Sequence, residues 1–501
     1  MSNKGNPGLV AALTVAATLG GLLFGYDTAV ISGATNAITH NFVLPLHLSV
    51  GATNFLSGFA IAIALLGCAL GAAIAGPVST RLGRKAGLLI AGVLFFVSSL
   101  GAGYPEFLWS IFGAVGSHAL PAFLFYRVMA GAAIGMASML APMYIAEVAP
   151  PASRGMLVTF QQIAIVVGIM LVYFVNYGIQ AGHSRAYLLT TAWRHMLASA
   201  AIPAALLIVF MLMVPETPRF LVLKDRDSDA LALLKRLVGE AEAQPTIQQI
   251  KATLVEHTRP MLSFGWLVLL VGILLSVFQQ VVGINAVLYY APQMFENMGA
   301  STTQALWDSA IYSGVTMFLF TLIATFTVDR IGRKPLLVAG ALIMSAAMIF
   351  LGFLFDRHLV AATVGQAGGA ARGSSYIGLA AVVFYILGFS FSWGPVVWVM
   401  LSEIFPNSIR GKAMSIAVGA QWIMNFIVSM TFPMMDGSPY LNAHFNHGFA
   451  YWVYGACSLL AAVFVIRFVP ETKGRTLESI QELWHRPRPE ASLASSKAAP
   501  Q

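Results

Sequence analysis

Apolar residues dominate this chain in long runs, and short polar breaks divide them. The first run follows a brief polar start, Met1 to Gly8, and continues to about Gly33. Further runs begin near residues 52, 86, 121, 155, 193, 263, 307, 335, 376, 411 and 447, each about 20 to 30 residues long, the length a helix needs to cross a bilayer. The pattern therefore predicts twelve membrane helices. The opening run is too long for the core of a signal peptide and is read as the first span. The one long polar stretch, about Arg219 to Arg259, carries apolar residues at helical spacing (Ala230, Leu233, Leu234, Leu237, then Ile247, Ile250 and Leu254) and predicts two or three amphipathic surface helices. Lys473 to Arg488, with Leu477, Ile480 and Leu483, predicts another.

Composition agrees with a chain dissolved in lipid. Of 501 residues, 58% are apolar and 10% charged, with a mean hydropathy of +0.78, whereas a soluble domain carries about 25% charged residues. The 46 glycines suit close helix packing. The net charge of +8 comes from clusters between apolar runs rather than from a basic patch interleaved with aromatics, so topology explains it better than nucleic acid does. With the N-terminus in the cytoplasm, Arg185, Arg194, Arg357 and Arg372 lie outside and Arg127 lies in the membrane, leaving the other 23 of 28 basic residues inside. Both termini are expected to be cytoplasmic. Cys68 and Cys457 sit in apolar runs and indicate neither a disulfide framework nor a metal site. The ten histidines show no catalytic or metal-ligating spacing, and the absence of a G-x-x-x-x-G-K-[ST] loop argues against an ATP-driven pump. No enzyme, cofactor or metal is expected.

Short motifs recur at a nearly constant offset. Thr80-Arg-Leu-Gly-Arg-Lys85 returns as Asp329-Arg-Ile-Gly-Arg-Lys334, Glu147 to Arg154-Gly155 as Glu403 to Arg410-Gly411, and Pro215-Glu-Thr217 as Pro470-Glu-Thr472, at offsets of 249, 256 and 255. A common shift across three motifs predicts two six-helix halves in parallel repeat, with a substrate site at the midplane and access alternating between the two faces. The expected divisions are 1–218 and 261–470 for the halves, 219–260 for a cytoplasmic helical linker and 471–501 for a cytoplasmic tail. The repeated charges map to cytoplasmic helix ends. Arg81, Arg84, Arg154 and Arg219, with Glu147 and Glu216, are expected to form a cytoplasmic gate with Asp329, Arg333, Glu403 and Arg410. That gate would be latched when the carrier faces outward. Positive-inside topology accounts for the basic members alone, but it gives no reason for Glu147 and Glu403.

Two ionisable side chains fall well inside the predicted spans, Asp27 in the first and Arg127 in the fourth. A lone charge there costs at least about 2.5 to 3.5 kcal/mol, so each needs a partner or water. Each lies about six residues, or ~9 Å, below the outer surface, so they are expected to meet. Proton uptake by Asp27 would then compete with its ion pair and couple a proton to a conformational change; a static pair that fixes helix packing is the other reading.

Gly20-Gly-Leu-Leu-Phe-Gly-Tyr-Asp27, the two Gly-Arg-Lys loops, Pro215-Glu-Thr-Pro-Arg219, Gln279-Gln280-Val-Val-Gly-Ile-Asn285 and Pro470-Glu-Thr-Lys-Gly-Arg475 together resemble the sugar porter family of the major facilitator superfamily, from near the start of the chain to about Trp484. The resemblance implies an all-α membrane protein of the major facilitator fold in a bacterial inner membrane. It also implies symport of a proton with a neutral monosaccharide, D-xylose or a hexose such as glucose. Asp27 would be the proton acceptor and Arg127 its modulator. Gln162, Gln279, Gln280, Asn285, Trp393 and Gln421 would occupy sugar-contacting positions, with Phe24 and Tyr289 lining the pocket and Trp422 beside Gln421. Residue chemistry points the same way: amides and flat apolar faces suit a polyol, and no cluster of fixed positive charge accompanies them. A single membrane amide would more simply be interhelical glue, typically worth ~0.6 kcal/mol.

Three departures matter. Thr80 stands where the family's loop motif usually has an acid. Ile169 and Met317 make the pocket less polar than in xylose carriers, which keeps a hexose in play. A facilitative uniporter and a transporter-like sensor are the alternatives; Asp27 weighs against the first, and a tail of about 30 residues after Pro470 against the second. The expected partners are lipid, sugar and proton, without nucleic acid, and the expected state is monomeric.

Overall fold

A computed structural model describes residues 5–113, 115–150, 153–254, 265–359, 369–405 and 407–473. Among the described residues, twelve helices are long and apolar enough to cross a membrane. The first six are span 1 (Pro7–Gly33), span 2 (Val50–Arg81), span 3 (Arg84–Gly103), span 4 (Gly116–Val148), span 5 (Met156–Gln180) and span 6 (Arg185–Met213). The rest are span 7 (Trp266–Asn297), span 8 (Thr302–Thr325), span 9 (Arg333–Asp356), span 10 (Tyr376–Leu401), span 11 (Gly411–Asp436) and span 12 (Phe449–Phe468). The polar stretch between spans 6 and 7 forms three short helices, Pro218–Leu223, Asp227–Leu237 and Glu240–Leu254. They bury Ala230, Leu233, Leu234 and Leu237 and pack against the chain start, where Asn6 N–H donates to the Arg236 carbonyl at 2.9 Å. The helix expected over 473–488 lies outside the described residues apart from Lys473.

Because the spans alternate in direction, one face of the bundle carries the chain start, the short helices and the repeated loops. It is called here the termini face, and the opposite one the far face. The helices approach closely where side chains are small. Gly131 and Gly135 of span 4 lie against the backbone of Ala64 and Cys68 in span 2, and Gly67 and Gly71 of span 2 lie against Val128 and Ala132 in return. A methyl group at Gly131 would sit 1.8 Å from the Ala64 carbonyl oxygen, so any larger residue would force the two helices apart.

Span 7 is interrupted. Gly283 has φ +95°, a left-handed conformation that favours glycine, and splits the span into Trp266–Val281 and Ile284–Asn297. The break frees backbone carbonyls, and Tyr385 of span 10 donates its hydroxyl to the Val282 carbonyl at 2.8 Å. Span 10 is irregular at the same level, with a π-helical turn Phe389–Trp393 before the helix resumes at Gly394–Ile404. Both irregularities lie beside residues that disturb a helix, Gly283 in span 7 and Gly394-Pro395 in span 10.

Hydrogen bonds between the first six spans and the last six fall at the far face and at mid-depth among the described residues. Asn36 donates to Glu296 at 3.1 Å, Asn54 donates to the Gly437 carbonyl at 2.8 Å, and Tyr173 donates to the Leu288 carbonyl at 2.7 Å. The far face is thus stitched together.

Candidate functional site

The glycine-rich stretch of span 1 lets that helix lie against span 5, and this packing aims Asp27 toward span 4. There the Arg127 guanidinium donates to both carboxylate oxygens, at 2.7 and 3.3 Å. Both residues are buried, Asp27 to 6% exposure and Arg127 to 3%. The planar guanidinium matches the carboxylate fork, which satisfies two acceptors at once in a medium that offers few alternatives. Among the described residues the Nε of Arg127 has no hydrogen-bond partner, so this side chain keeps a further donor beside the pair.

A small chamber adjoins the pair and is lined by Phe24, Asp27, Ile61, Cys68, Arg127, Tyr289 and Trp422 among others. Phe24 and Trp422 face each other across the two halves with ring centroids 5.4 Å apart. The chamber therefore combines one ion pair with flat aromatic walls. Ile61 lines a second cavity as well, on the far face, so a single isoleucine belongs to the walls of both. Tyr289 lines the inner chamber and the next residue, Tyr290, lines the outer cavity.

The amides of span 7 form a chain of hydrogen bonds next to the helix break. Asn285 donates to Gln280 at 2.5 Å, Gln280 donates to Gln279 at 3.3 Å, and Gln279 donates to the Trp393 carbonyl at 3.0 Å. Trp393 is fully buried and is held by its indole N–H on the Leu337 carbonyl at 2.8 Å. Tyr289, one turn beyond Asn285 on the same helix, carries this row to the chamber wall. In span 11, Gln421 and Trp422 are buried, and the Gln421 carbonyl oxygen and the Trp422 indole N–H have no hydrogen-bond partner among the described residues. Gln162 is half-buried on span 5. Its neighbour Gln161, which the sequence reading passed over, is buried against Gly21 with both amide atoms unpartnered. Asn285, Gln280, Gln279 and Trp393 are thus brought into one network; Phe24, Tyr289 and Trp422 meet at the chamber; Gln162 joins neither set. Ile169 and Met317 are buried, at 2% and 4% exposure.

The repeated charges build two matching clusters at the termini face. In the first, Arg84 pairs with Glu147 at 2.8 Å, Glu216 accepts from the backbone N–H groups of Arg84, Lys85 and Thr217, and the Thr217 hydroxyl donates to Glu147. In the second, Arg333 pairs with Glu403 at 3.0 Å, Glu471 accepts from the N–H groups of Arg333, Lys334, Thr472 and Lys473, and Thr472 donates to Glu403. Burial pushes the Glu471 carboxyl up, but these backbone donors outweigh it and hold it below the usual carboxylate range. Glycine is required at both loops. Gly83 and Gly332 have φ +101° and +107°, and a methyl at Gly83 would collide with Glu216. Each cluster closes within its own set of six spans, and among the described residues no ion pair joins the two sets. Arg81 is exposed and forms no ion pair with a described residue, and Arg219 lies half-buried in the first turn of Pro218–Leu223. The side chains of Arg154, Asp329 and Arg410 lie outside those described. Thr217 and Thr472 were missed as functional positions, although the repeated Pro-Glu-Thr signalled them.

Two six-span sets around a chamber with one ion pair, broken helices beside it and a stitched far face define a membrane carrier. The model of the sugar (and other) transporter family matches residues 13–484, and the chain belongs to that family. It is 47% identical to the D-xylose-proton symporter of Escherichia coli K12 over 97% of both chains. It is also 44% identical to the glucose facilitated diffusion protein of Zymomonas mobilis, covering 97% of this chain and 99% of that one. Its fold superposes on the inward-open conformation of the xylose transporter XylE from E. coli with a TM-score of 0.82 and 44% identity, over 95% of this chain and all of that one.

Proposed function

We propose that the protein is a symporter that carries one neutral monosaccharide, D-xylose or a hexose such as glucose, together with a proton across the bacterial inner membrane. The observation that carries this reading is the buried Asp27–Arg127 pair beside an aromatic-walled chamber. A carboxylate in such a place has two stable arrangements: paired with arginine, or protonated with arginine released. A proton can therefore bias which face the chamber opens to. Gln162, Gln279, Gln280, Asn285 and Gln421 offer sugar hydroxyls donors and acceptors, while Phe24, Tyr289, Trp393 and Trp422 cover the C–H faces.

The termini face is cytoplasmic in this reading, in keeping with its excess of arginine and lysine. The far face is then the outer one, and its cross-links between halves correspond to an inward-facing state. Because each charge cluster closes within one half, the clusters make each half a stiff body at its cytoplasmic end. Any cross-half latch forms only when that face closes, with Arg81, Arg154, Arg219, Asp329 and Arg410 as the remaining members. The halves run over 1–218 and 261–470, joined by 219–260, with 471–501 as a tail; the carrier acts as a monomer among lipids.

Facilitative uniport is the second reading, favoured by the likeness to the glucose facilitator and by the apolar Ile169 and Met317. Uptake of labelled xylose, glucose, galactose and arabinose into proteoliposomes, with and without an imposed pH gradient, separates the two. Accumulation above equilibrium under the gradient is expected. Equal rates with no accumulation would establish uniport, and no transport of any of the four would overturn the sugar reading of the pocket.

A further inference from the structure

We infer that the outer face carries a second, weaker binding site for a neutral sugar, placed above the closed outer gate. The inference rests on the sugar-carrier reading and adds a site to it. A cavity of about 280 Å³ lies there between the two halves, lined by the helical segment that follows span 1 and by spans 2, 6, 7 and 11. Its polar wall is made by Asn36, His40, Asn54, Ser57, Arg185 and Gln293.

The chemistry left over in that wall suits a polyol. Asn36, Asn54 and Gln293 each spend an amide N–H on the protein, on Glu296, the Gly437 carbonyl and Asp436 respectively. No described residue donates to their amide oxygens, so three acceptors remain for ligand hydroxyls. Ser57 is buried, 5% exposed, and its hydroxyl has no partner. Arg185 is exposed and forms no ion pair with a described residue, so it contributes donors, as does the His40 ring. A sugar hydroxyl gives one proton and takes another, which is what a wall of mixed acceptors and donors asks for. Tyr290 supplies an apolar face, its hydroxyl being committed to the Ser429 carbonyl. The floor is Ile61, which also walls the inner chamber. A sugar held here waits directly above the transport site while that site faces the cytoplasm.

Equilibrium binding of radiolabelled D-glucose and D-xylose to the full chain in lipid nanodiscs tests this. Two sugars per chain are expected, the second bound at least tenfold more weakly. Ser57→Val combined with Arg185→Leu should remove the weaker component and leave the tighter within twofold. Arg185→Leu alone, at an exposed position, should weaken it and serves if the pair does not fold. Gln280→Ala should have the opposite pattern. One sugar per chain in the wild type, or two components that neither substitution at the outer cavity alters, overturns the second site alone. An outer component that takes D-glucuronate or phosphate but no neutral sugar also overturns it. Loss of both components overturns the second site and the sugar-carrier reading together.

Discussion

The hydroxyl of Thr217 donates to the carboxylate of Glu147 at 2.7 Å, tying the end of span 4 to a residue 70 positions further along the chain. The same hydroxyl receives the Phe220 N–H, capping the helix that starts at Pro218, so one threonine closes a helix end and fills the last acceptor of an ion pair. Thr472 repeats the contact with Glu403 in the second half. Thr217→Val should therefore cost about 1 to 2 kcal/mol through a lost cap and a charge-assisted hydrogen bond. The check is the melting temperature of the purified protein, which should fall for valine and recover most of the way with Thr217→Ser.

Asp27→Asn keeps the size of the side chain and removes the proposed proton acceptor. Accumulation of sugar driven by a pH gradient should disappear, while exchange of labelled sugar across vesicles preloaded with the same sugar should persist. Accumulation at the wild-type level would end the proton role of this residue.

Removing Arg127 alone should be the more damaging change for the fold. It leaves a buried carboxylate without its partner, a loss of about 3 to 5 kcal/mol for pairs of this kind. Arg127→Gln should lower folded yield in detergent, and the double variant with Asp27→Asn should recover part of that yield, because no uncompensated charge then remains.

Gln279 ties span 7 to the irregular turn of span 10 through the Trp393 carbonyl. Gln279→Ala removes this tie and, in the proposed site, one partner for the sugar; loss of that partner, worth about 1 to 1.5 kcal/mol, should lower affinity roughly tenfold. Titration calorimetry with the transported sugar reads this directly; an unchanged affinity would remove Gln279 from the site.

His447 lies at the far face, where its Nδ1 meets the Asp436 carboxylate at 2.9 Å. That hydrogen bond raises the imidazole above its ordinary value of 6.5, against a smaller opposing effect of burial. The folded protein thus holds this proton more tightly than the unfolded chain does. The stabilisation is complete below about pH 6.5 and fades as pH rises through the higher folded value. Melting temperature measured from pH 5.5 to 8.5 should fall more steeply for the wild type than for His447→Gln.

Much of this was legible before any coordinates. Lipid forces apolar runs of fixed length, so twelve spans could be counted, and the cost of membrane charge made Asp27 and Arg127 conspicuous at equal depth. Rotation about a helix axis is harder to read. Gln161 and Gln162 differ by about 100° around span 5, yet both are glutamine, and only packing against Gly21 shows which one is buried. The charge motifs revealed depth and repetition but not partners. Arg84 could have reached across the halves, and it turns instead to Glu147 because Gly83 folds the loop back onto its own bundle. The π-helical turn before Gly394 left no pattern of its own, since Phe389-Ser-Phe-Ser-Trp393 alternates aromatic and serine residues and carries no helical periodicity for one extra residue to disturb.

Ile61 lines both the far-face cavity and the chamber beside the ion pair, so its side chain is part of the barrier between them. Membrane voltage falls where water is absent, so a thin wall concentrates the field. In the proposed symport, a proton reaching Asp27 from the far face crosses that wall, and its charge collects whatever share of the potential drops there. A full charge through 100 mV is worth about 2.3 kcal/mol. The bulk of residue 61 therefore helps to set how far sugar uptake responds to electrical rather than chemical driving force.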